Sequence, residues 1–397
     1  MTGPLSDVLV VDLSRALAGP HAAMMLGDLG ARVIKVESPG SGDDTRSWGP
    51  PFMPGSDGQR HSTYFLSCNR NKESIALDLK SDDGRATLTK LVVRADVLVE
   101  NFRPGVLDRL GFSVARLHEL NPRLVVLSIS GFGHDGPEGT RPGYDQIAQG
   151  EAGLMSLTGP SAAEPTRVGV PIGDLLAGMN GAYGVVAALH ERTTTGRGRV
   201  VRTSLLASIV GVHAFQGTRY TVAGEIPQPT GGHHPSICPY GLFHAADGFV
   251  QIAVGSEGLW RRFGPEFGLD RPEWASNPER VGDRDAVIAA VDAAFRALPS
   301  AELLVRLDGL GVPAGKVRNL EEVYTWEQTR SQGLLVDVEH AALGTITLPG
   351  PPLRFDDAPG AGAPGAGAPG AGVRTTHSAP PTLDQHGADI RAWLARP

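Results

Sequence analysis

The sequence has little cysteine, no basic excess and no obvious membrane-spanning run. Cys68 and Cys238 are its only cysteines in 397 residues, far apart and in no CxxC spacing. That excludes a disulfide framework or a thiolate zinc site as an organising feature and points to a reducing compartment, so a cytoplasmic location is expected. The formal net charge of -7 lacks the basic excess of nucleic-acid-binding chains, and no nucleic-acid partner is expected. A small anion needs only a few well-placed Arg and Lys residues. No apolar run approaches the ~18 residues of a bilayer span, and the opening MTGPLSDVLVVDLS has no basic stretch leading into a long apolar one. No membrane partner or signal segment is expected. What is present, 41% hydrophobic and 20% charged residues, describes an ordinary globular chain long enough for two or three domains.

Strand-like and helix-like signals alternate along the first two hundred residues. Short β-rich runs fall at 8–13, 32–37, 74–79, 96–101 and 123–130, with helical segments at GPHAAMMLGDLG and GRATLTKLVVRA. Such βαβ alternation predicts an α/β fold with a Rossmann-like, doubly wound, mainly parallel sheet. A long helix is expected over 175–192, where Gly178, Gly181 and Gly184 would let a neighbour approach one face closely. From about residue 225 the texture changes. GEIPQPTGGHHPSICPYG reads as a loop, LFHAADGFVQIAV as a hairpin turning at Asp247-Gly248, and two helices follow. This predicts a smaller α+β domain over 225–325. Residues 359–372, PGAGAPGAGAPGAG, read as a flexible insert. The GxGxxG within it (Gly360, Gly362, Gly365) follows no strand and contains Pro364, so it is no dinucleotide fingerprint. The first strand is followed by SRALAGP, which argues against a nicotinamide dehydrogenase.

Two places carry candidate chemistry. In RVGVPIGDLLAG, residues 167–178, Asp174 stands among small and apolar residues. It reads as a cap or first-turn carboxylate, worth ~0.5–2 kcal/mol. It also reads as a nucleophile toward an activated acyl group, kept ionised by the helix start. The second place comprises Arg70 and Lys72 before one strand, Asn101, Phe102 and Arg103 after another, and Arg109 beyond. Open α/β sheets bind ligands outside the carboxyl ends of their strands, where cations hold phosphates and a phenyl face packs on a purine. Taken singly, each is also an ordinary surface charge. His233 and His234 have no carboxylate or thiol motif beside them, so no metal site is expected there; a glycine-rich loop covering a substrate fits better.

LSRALAGPHAAMMLGDLGARVIKVESPGSGD, NRNKESIALDLK, VENFRPGVLDRLG, GVPIGDLLAG, HPSICPYGLFHAADG and GVPAGKVRN, in this order, resemble the family III CoA-transferases. The resemblance covers nearly the whole chain apart from the Pro-Gly-Ala insert. It implies that Asp174 is the nucleophile, with mixed-anhydride and aspartyl-CoA thioester intermediates. It places Lys72, with Asn69, Arg70 and Asn71, near the phosphates and nucleotide of CoA. Asn101, Phe102 and Arg109, with Arg103, fall around the adenosine, and Leu17 and Ala18 at a backbone contact to CoA. Tyr144 falls in the substrate pocket and Gly231 and Gly232 in a loop over it. The resemblance further implies residues 1–205 as the large CoA-binding domain, 330–397 returning to it, and an interlocked homodimer. Acyl-CoA and a carboxylic acid are the implied substrates, with no metal and no permanently bound cofactor. The same fold hosts 2-methylacyl-CoA racemases, which carry a histidine base where this chain has Tyr144. A phenol ionising near pH ~10 is a poor substitute for it, which favours transfer. Ser38 departs from an arginine that several relatives direct at CoA, and Arg199 and Arg202 stand where Gln and Asp are common.

Overall fold

Six short runs, most of them rich in valine and other aliphatics, form the central sheet of the computed structural model, which describes residues 3–355 and 376–396. The insert at 359–372 lies outside the described residues. The strands are β1 (Leu9–Asp12), β2 (Arg32–Glu37), β3 (Lys72–Ala76), β4 (Val97–Glu100), β5 (Val125–Ser130) and β6 (Val200–Ser204). All pair in parallel, in the order β3-β2-β1-β4-β5-β6. The strand order reverses between β1 and β4, and that is where ligands enter such sheets. Alternation along β5 shows why helices cover both faces. Val126 joins a cluster with Leu88, Leu91 and Ile390, whereas Leu127 and Ile129 point the other way, toward Gly181 of the long helix. The mixed α/β fold and parallel sheet are as the alternation predicted. β6 was not foreseen, and β3 begins two residues earlier than expected, at Lys72.

The long helix runs Ile172–Thr195, so it begins before Asp174 rather than after it. By length and composition it is apolar enough to cross a bilayer, contrary to the expectation that no segment approaches this. Its alanines and glycines break up the large aliphatics without lowering the mean hydropathy much. The glycines seat it against the rest of the fold. A Cβ at Gly178 would lie 2.7 Å from the Ala18 carbonyl oxygen, at Gly181 2.9 Å from Leu127, and at Gly184 2.6 Å from Val201. Gly178→Ala is therefore expected to push this helix off the helix Ala18–Asp28 and cost about 1–3 kcal/mol, read as a lower Tm.

The chain divides into two units. The first comprises Met1–Ala152, Gly169–Gly217 and Glu327–Pro397, the second Gly153–Val168 and Thr218–Trp326. In the second, the strands Tyr240–Ala245, Gly248–Ala253 and Ala314–Lys316 form an antiparallel sheet. The expected hairpin is present, but Gly248 pairs with Ala245, so Ala246 and Asp247 make its turn. Phe243, Trp260, Phe263 and Phe295 fill its core, backed by the two expected helices, Arg284–Phe295 and Ser300–Gly309. In the first unit, residues 376–396 pack along β3. The Ser74 amide donates to His386 Nδ1 (3.1 Å), the Ala76 amide to Asp384 Oδ1 (2.8 Å), and Arg391 donates to the Ala76 carbonyl (3.0 Å).

Candidate active site

The loops after β1 and β4 are tied together at the point of strand reversal. The Arg15 amide donates to Asn101 Oδ1 (2.8 Å), and Asn101 Nδ2 donates back to the Arg15 carbonyl (2.7 Å). Ala16 next to it has φ 63°, a left-handed conformation that a side chain adopts only under constraint. Part of that constraint is its amide's bond to Asp43 Oδ1 (3.2 Å).

These loops open on a cavity of about 500 Å³ within the first unit. Its walls include Arg15, Ala16 and Ala18 from the loop after β1, and Trp48 and Tyr64 from the segment after β2. Asn101, Phe102 and Arg103 follow β4; Ile129, Ser130 and Gly131 close or follow β5. Tyr144 (66% exposed), Asp145 and Asp174 complete the part that matters chemically. Of the residues singled out in the sequence, Ala18, Asn101, Phe102, Arg103, Tyr144 and Asp174 thus meet around one space. Glu100 secures Phe102 from below, accepting its amide at 2.9 Å.

The other expected contacts are placed differently. Asn69, Arg70, Asn71 and Lys72 are buried and do not line this cavity. All three Lys72 donors are used inside the chain, on Asp12 Oδ2 (2.9 Å), the Pro20 carbonyl (2.8 Å) and Asn69 Oδ1 (2.9 Å). Burial, with Lys35 nearby, holds its amine below the usual lysine range although Asp12 works against this. Arg70 makes a two-pronged pair with Asp28 (2.9 and 2.5 Å) and also reaches the Pro349 carbonyl. Asn71 donates to Asp28 Oδ1 (2.9 Å). The reason is charge balance: acids on β1 and on the helix Ala18–Asp28 draw these cations inward. Leu17 is buried against Met24 and Cys68. Arg109 is exposed at the end of the short helix Val106–Arg109, off the cavity wall. Gly231 and Gly232 belong to the second unit, where the Gly231 amide bonds the Gly159 carbonyl. His233 packs edge-on to Phe243 and His234 stacks on Tyr240.

Asp174 sits in the first turn of the long helix, yet it does not cap it. The Gly173 and Asp174 amides donate to Oδ1 of Asp145 (2.7 and 3.3 Å), whose other oxygen is held by Gln149 Nε2 (2.6 Å). Asp145 therefore takes the favourable end of the helix, and Asp174 is left with partial burial and a like charge. Burial first, then the Asp145 charge, pushes its pKa up to about 7. The expectation that the helix start keeps Asp174 ionised near neutral pH is corrected here, because a neighbouring acid occupies the amides that would have done so. Tyr64, half-buried beside Trp48, is pushed up to about 12 by burial and the Asp174 charge. Asp145 escaped the sequence reading. Its one signal was Gln149 four residues on, the spacing that pairs side chains on one helix face.

Fold and cavity together define an α/β enzyme whose ligand space lies at the switch point of a parallel sheet, with Asp44, Asp145 and Asp174 on its walls. The chain belongs to CoA-transferase family III, whose sequence profile matches residues 5–375. It is 40% identical over 352 residues to a succinate–glutarate CoA-transferase of Agrobacterium fabrum, covering 87% of this chain and 88% of that one. It is 37% identical over 407 residues to an acetyl-CoA:oxalate CoA-transferase of Acetobacter aceti, covering 100% and 97%. A crystal structure of a CAIB/BAIF family protein from Brucella suis superposes with a TM-score of 0.86 at 37% identity, covering 99% and 100% of the chains.

Proposed function

We propose that this enzyme moves CoA from the thioester of one dicarboxylic acid, such as succinyl-CoA, to a second dicarboxylic acid through covalent intermediates on Asp174. The observation that carries this reading is the placement of Asp174. It is a partly buried carboxylate whose helix-start amides are taken by Asp145, and it faces a cavity at the switch point of the sheet. The similar enzymes named above are named for succinate and glutarate and for acetyl-CoA and oxalate, so each takes at least one acid with two carboxyl groups.

In the proposed sequence an Asp174 oxygen attacks the thioester carbonyl, and the CoA thiolate leaves as a mixed anhydride forms. The thiolate attacks the aspartyl carbonyl, releasing the donor acid and leaving an aspartyl-CoA thioester. The acceptor carboxylate attacks that carbonyl and expels the thiolate, and the thiolate then takes the acceptor's acyl carbon and frees Asp174. Each step exchanges one activated carbonyl for another, so no net proton or electron is consumed. Poor hydration of Asp174 raises its nucleophilicity and shields the anhydride from water. In this reading Asn101, Phe102 and Arg103 hold the nucleotide end of CoA, and Ala18 and Tyr144 line the acyl end. Family resemblance and exposed apolar residues in each unit, Tyr183 in the first and Val222 and Ile226 in the second, support an interlocked homodimer. Two free, buried cysteines suit a reducing cytoplasm.

Succinyl-CoA offered with a panel of mono- and dicarboxylic acids, followed by chromatography of the CoA esters, tests the reading. A new CoA ester of a dicarboxylic acid is expected. Hydrolysis alone, or exchange of the α-proton without acyl transfer, would overturn it.

A further inference from the structure

The carboxyl ends of β4 and β5 carry a second group of titratable side chains, outside the cavity lining. Glu100 on β4 and Ser128 on β5 are register partners, so their side chains share one face of the sheet. The Ser128 hydroxyl donates to Glu100 Oε1 and lies 2.7 Å from His134 Nε2. Glu100 Oε2 accepts the Phe102 amide (2.9 Å). Glu100 and Ser128 are buried, at 7% and 8% exposure, whereas His134 is half-buried on the loop after β5. The Gly133 amide fixes the start of that loop by donating to Ser130 Oγ (3.0 Å), and its Gly131, Arg141, Pro142 and Gly143 line the cavity. One hydrogen-bonded chain, from His134 through Ser128 and Glu100 to the Phe102 amide, therefore joins two loops of the cavity wall.

Such a chain can carry a proton. With Glu100 ionised, its Oε1 accepts from Ser128, and Ser128 accepts from the Nε2–H of a neutral His134. A proton added at His134 Nδ1 lets the Nε2 proton pass to Ser128 Oγ while the Ser128 proton passes to Glu100 Oε1. The chain goes from one negative charge to none, Glu100 becomes a neutral acid, His134 stays neutral, and every donor keeps an acceptor. Burial is the largest influence on both ends, pushing the Glu100 carboxyl up and the His134 imidazole down. At Glu100, Ser128, the Phe102 amide and Arg202 of β6 oppose burial, and Asp108 of the helix Val106–Arg109 adds to it. At His134, Arg202 acts with burial and Asp135 against it. Both shifts favour the neutral pair over an imidazolium linked to a carboxylate. An ionised carboxylate accepts an amide more strongly than a carboxylic acid does, so the hold on Phe102 slackens when the proton arrives.

We propose that His134, Ser128 and Glu100 are positioning residues that make CoA binding proton-linked: the ionised chain fixes Phe102 for the nucleotide, and a proton entering at His134 releases it. This rests on the reading above in which Phe102 holds the nucleotide end of CoA. Affinity for CoA is highest where the chain is ionised and falls as pH drops, and by linkage CoA binding expels a proton from the chain.

Calorimetry of CoA binding at about pH 8 and about pH 5.5 compares the unmodified enzyme with Glu100→Gln, whose amide keeps an acceptor for Phe102 but does not titrate. Asp174 and the phosphates of CoA titrate alike in both proteins, so the difference between the two belongs to the chain. Glu100→Gln is expected to bind CoA about three- to tenfold more weakly than the unmodified enzyme at the higher pH, and equally at the lower one. Ser128→Ala takes a donor from the ionised carboxylate and so raises its pKa; its loss of affinity is expected to set in at higher pH than in the unmodified enzyme. A deficit in Glu100→Gln that is the same at both pH values, or absent at both, overturns the proposal, since a purely structural prop does not respond to protons. If Glu100→Gln does not fold, an unshifted pH dependence in Ser128→Ala overturns it instead. CoA binding without transfer to any acid removes the transfer reading alone, and no binding of CoA by the unmodified enzyme removes both.

Discussion

Asp174→Ala is expected to lower CoA transfer by about 10⁴-fold or more, a barrier increase of ~5 kcal/mol, because the group that bonds both acyl moieties in the proposed mechanism is gone. Incubating the unmodified enzyme with succinyl-CoA and then hydroxylamine should leave a hydroxamate at Asp174, found by peptide mass spectrometry and missing from the variant. Turnover retained in Asp174→Ala would remove the covalent mechanism. The same carboxyl predicts an opposite effect on stability. Burial and the Asp145 charge push its pKa up to about 7, above the ordinary aspartate value of 3.8. The folded state therefore holds this proton more tightly, and the associated stability is fully present below the unfolded value and is lost as pH rises through 7. Asp174→Asn removes a charge that the fold tolerates poorly. Its Tm should match that of the unmodified enzyme near pH 4 and exceed it at pH 8, so the inactive variant is the more stable one.

Asp145→Ala should be the next most damaging change, lowering kcat by about 10²-fold, since a small displacement of a nucleophile is costly. It strips the acceptor from the Gly173 and Asp174 amides, which should also cost about 1–2 kcal/mol of stability. The informative comparison is Asp145→Asn, whose side-chain oxygen still accepts those amides but carries no charge. In the proposed mechanism Asp174 attacks only when deprotonated, so kcat/KM for the unmodified enzyme should climb between pH 6 and 8, around the value of about 7. Removing the Asp145 charge lowers the Asp174 pKa and moves that rise to lower pH. A pH profile identical in Asp145→Asn would show that the two carboxylates do not sense each other.

Much of the fold was legible because parallel strands buried on both faces read as short aliphatic runs. Val8 to Leu13 and Val97 to Val99 could hardly be anything else. β6 was not, since VVRTS, half-exposed and following TTGRGR, lacks that signature. At the site, Asp174 stood out by its small neighbours and the motif around it, and Asn101, Phe102 and Arg103 by their place after a strand. What a linear reading could not show was direction. NRNK presents two cations that look free in one dimension, but Asp12 and Asp28, many residues away, claim them from within. The helix start gave the converse error: its amides were assigned to the aspartate beside them, and Asp145, some thirty residues earlier, takes them. In both places a long-range pairing decided which charges were left for substrate.

The packing of residues 376–396 along β3 has a consequence for how the polypeptide is made. β3 is the outermost strand, with β2 on one side only. Its other side is satisfied by Asp384, His386 and Arg391, which leave the ribosome some three hundred residues after it. Until they arrive, the sheet carries an open row of amides and carbonyls able to recruit a strand from another nascent chain. The first unit cannot finish folding before the second has been synthesised, so the growing chain needs protection at this edge for most of its translation, and a messenger truncated near its end should yield aggregates rather than a weakened enzyme.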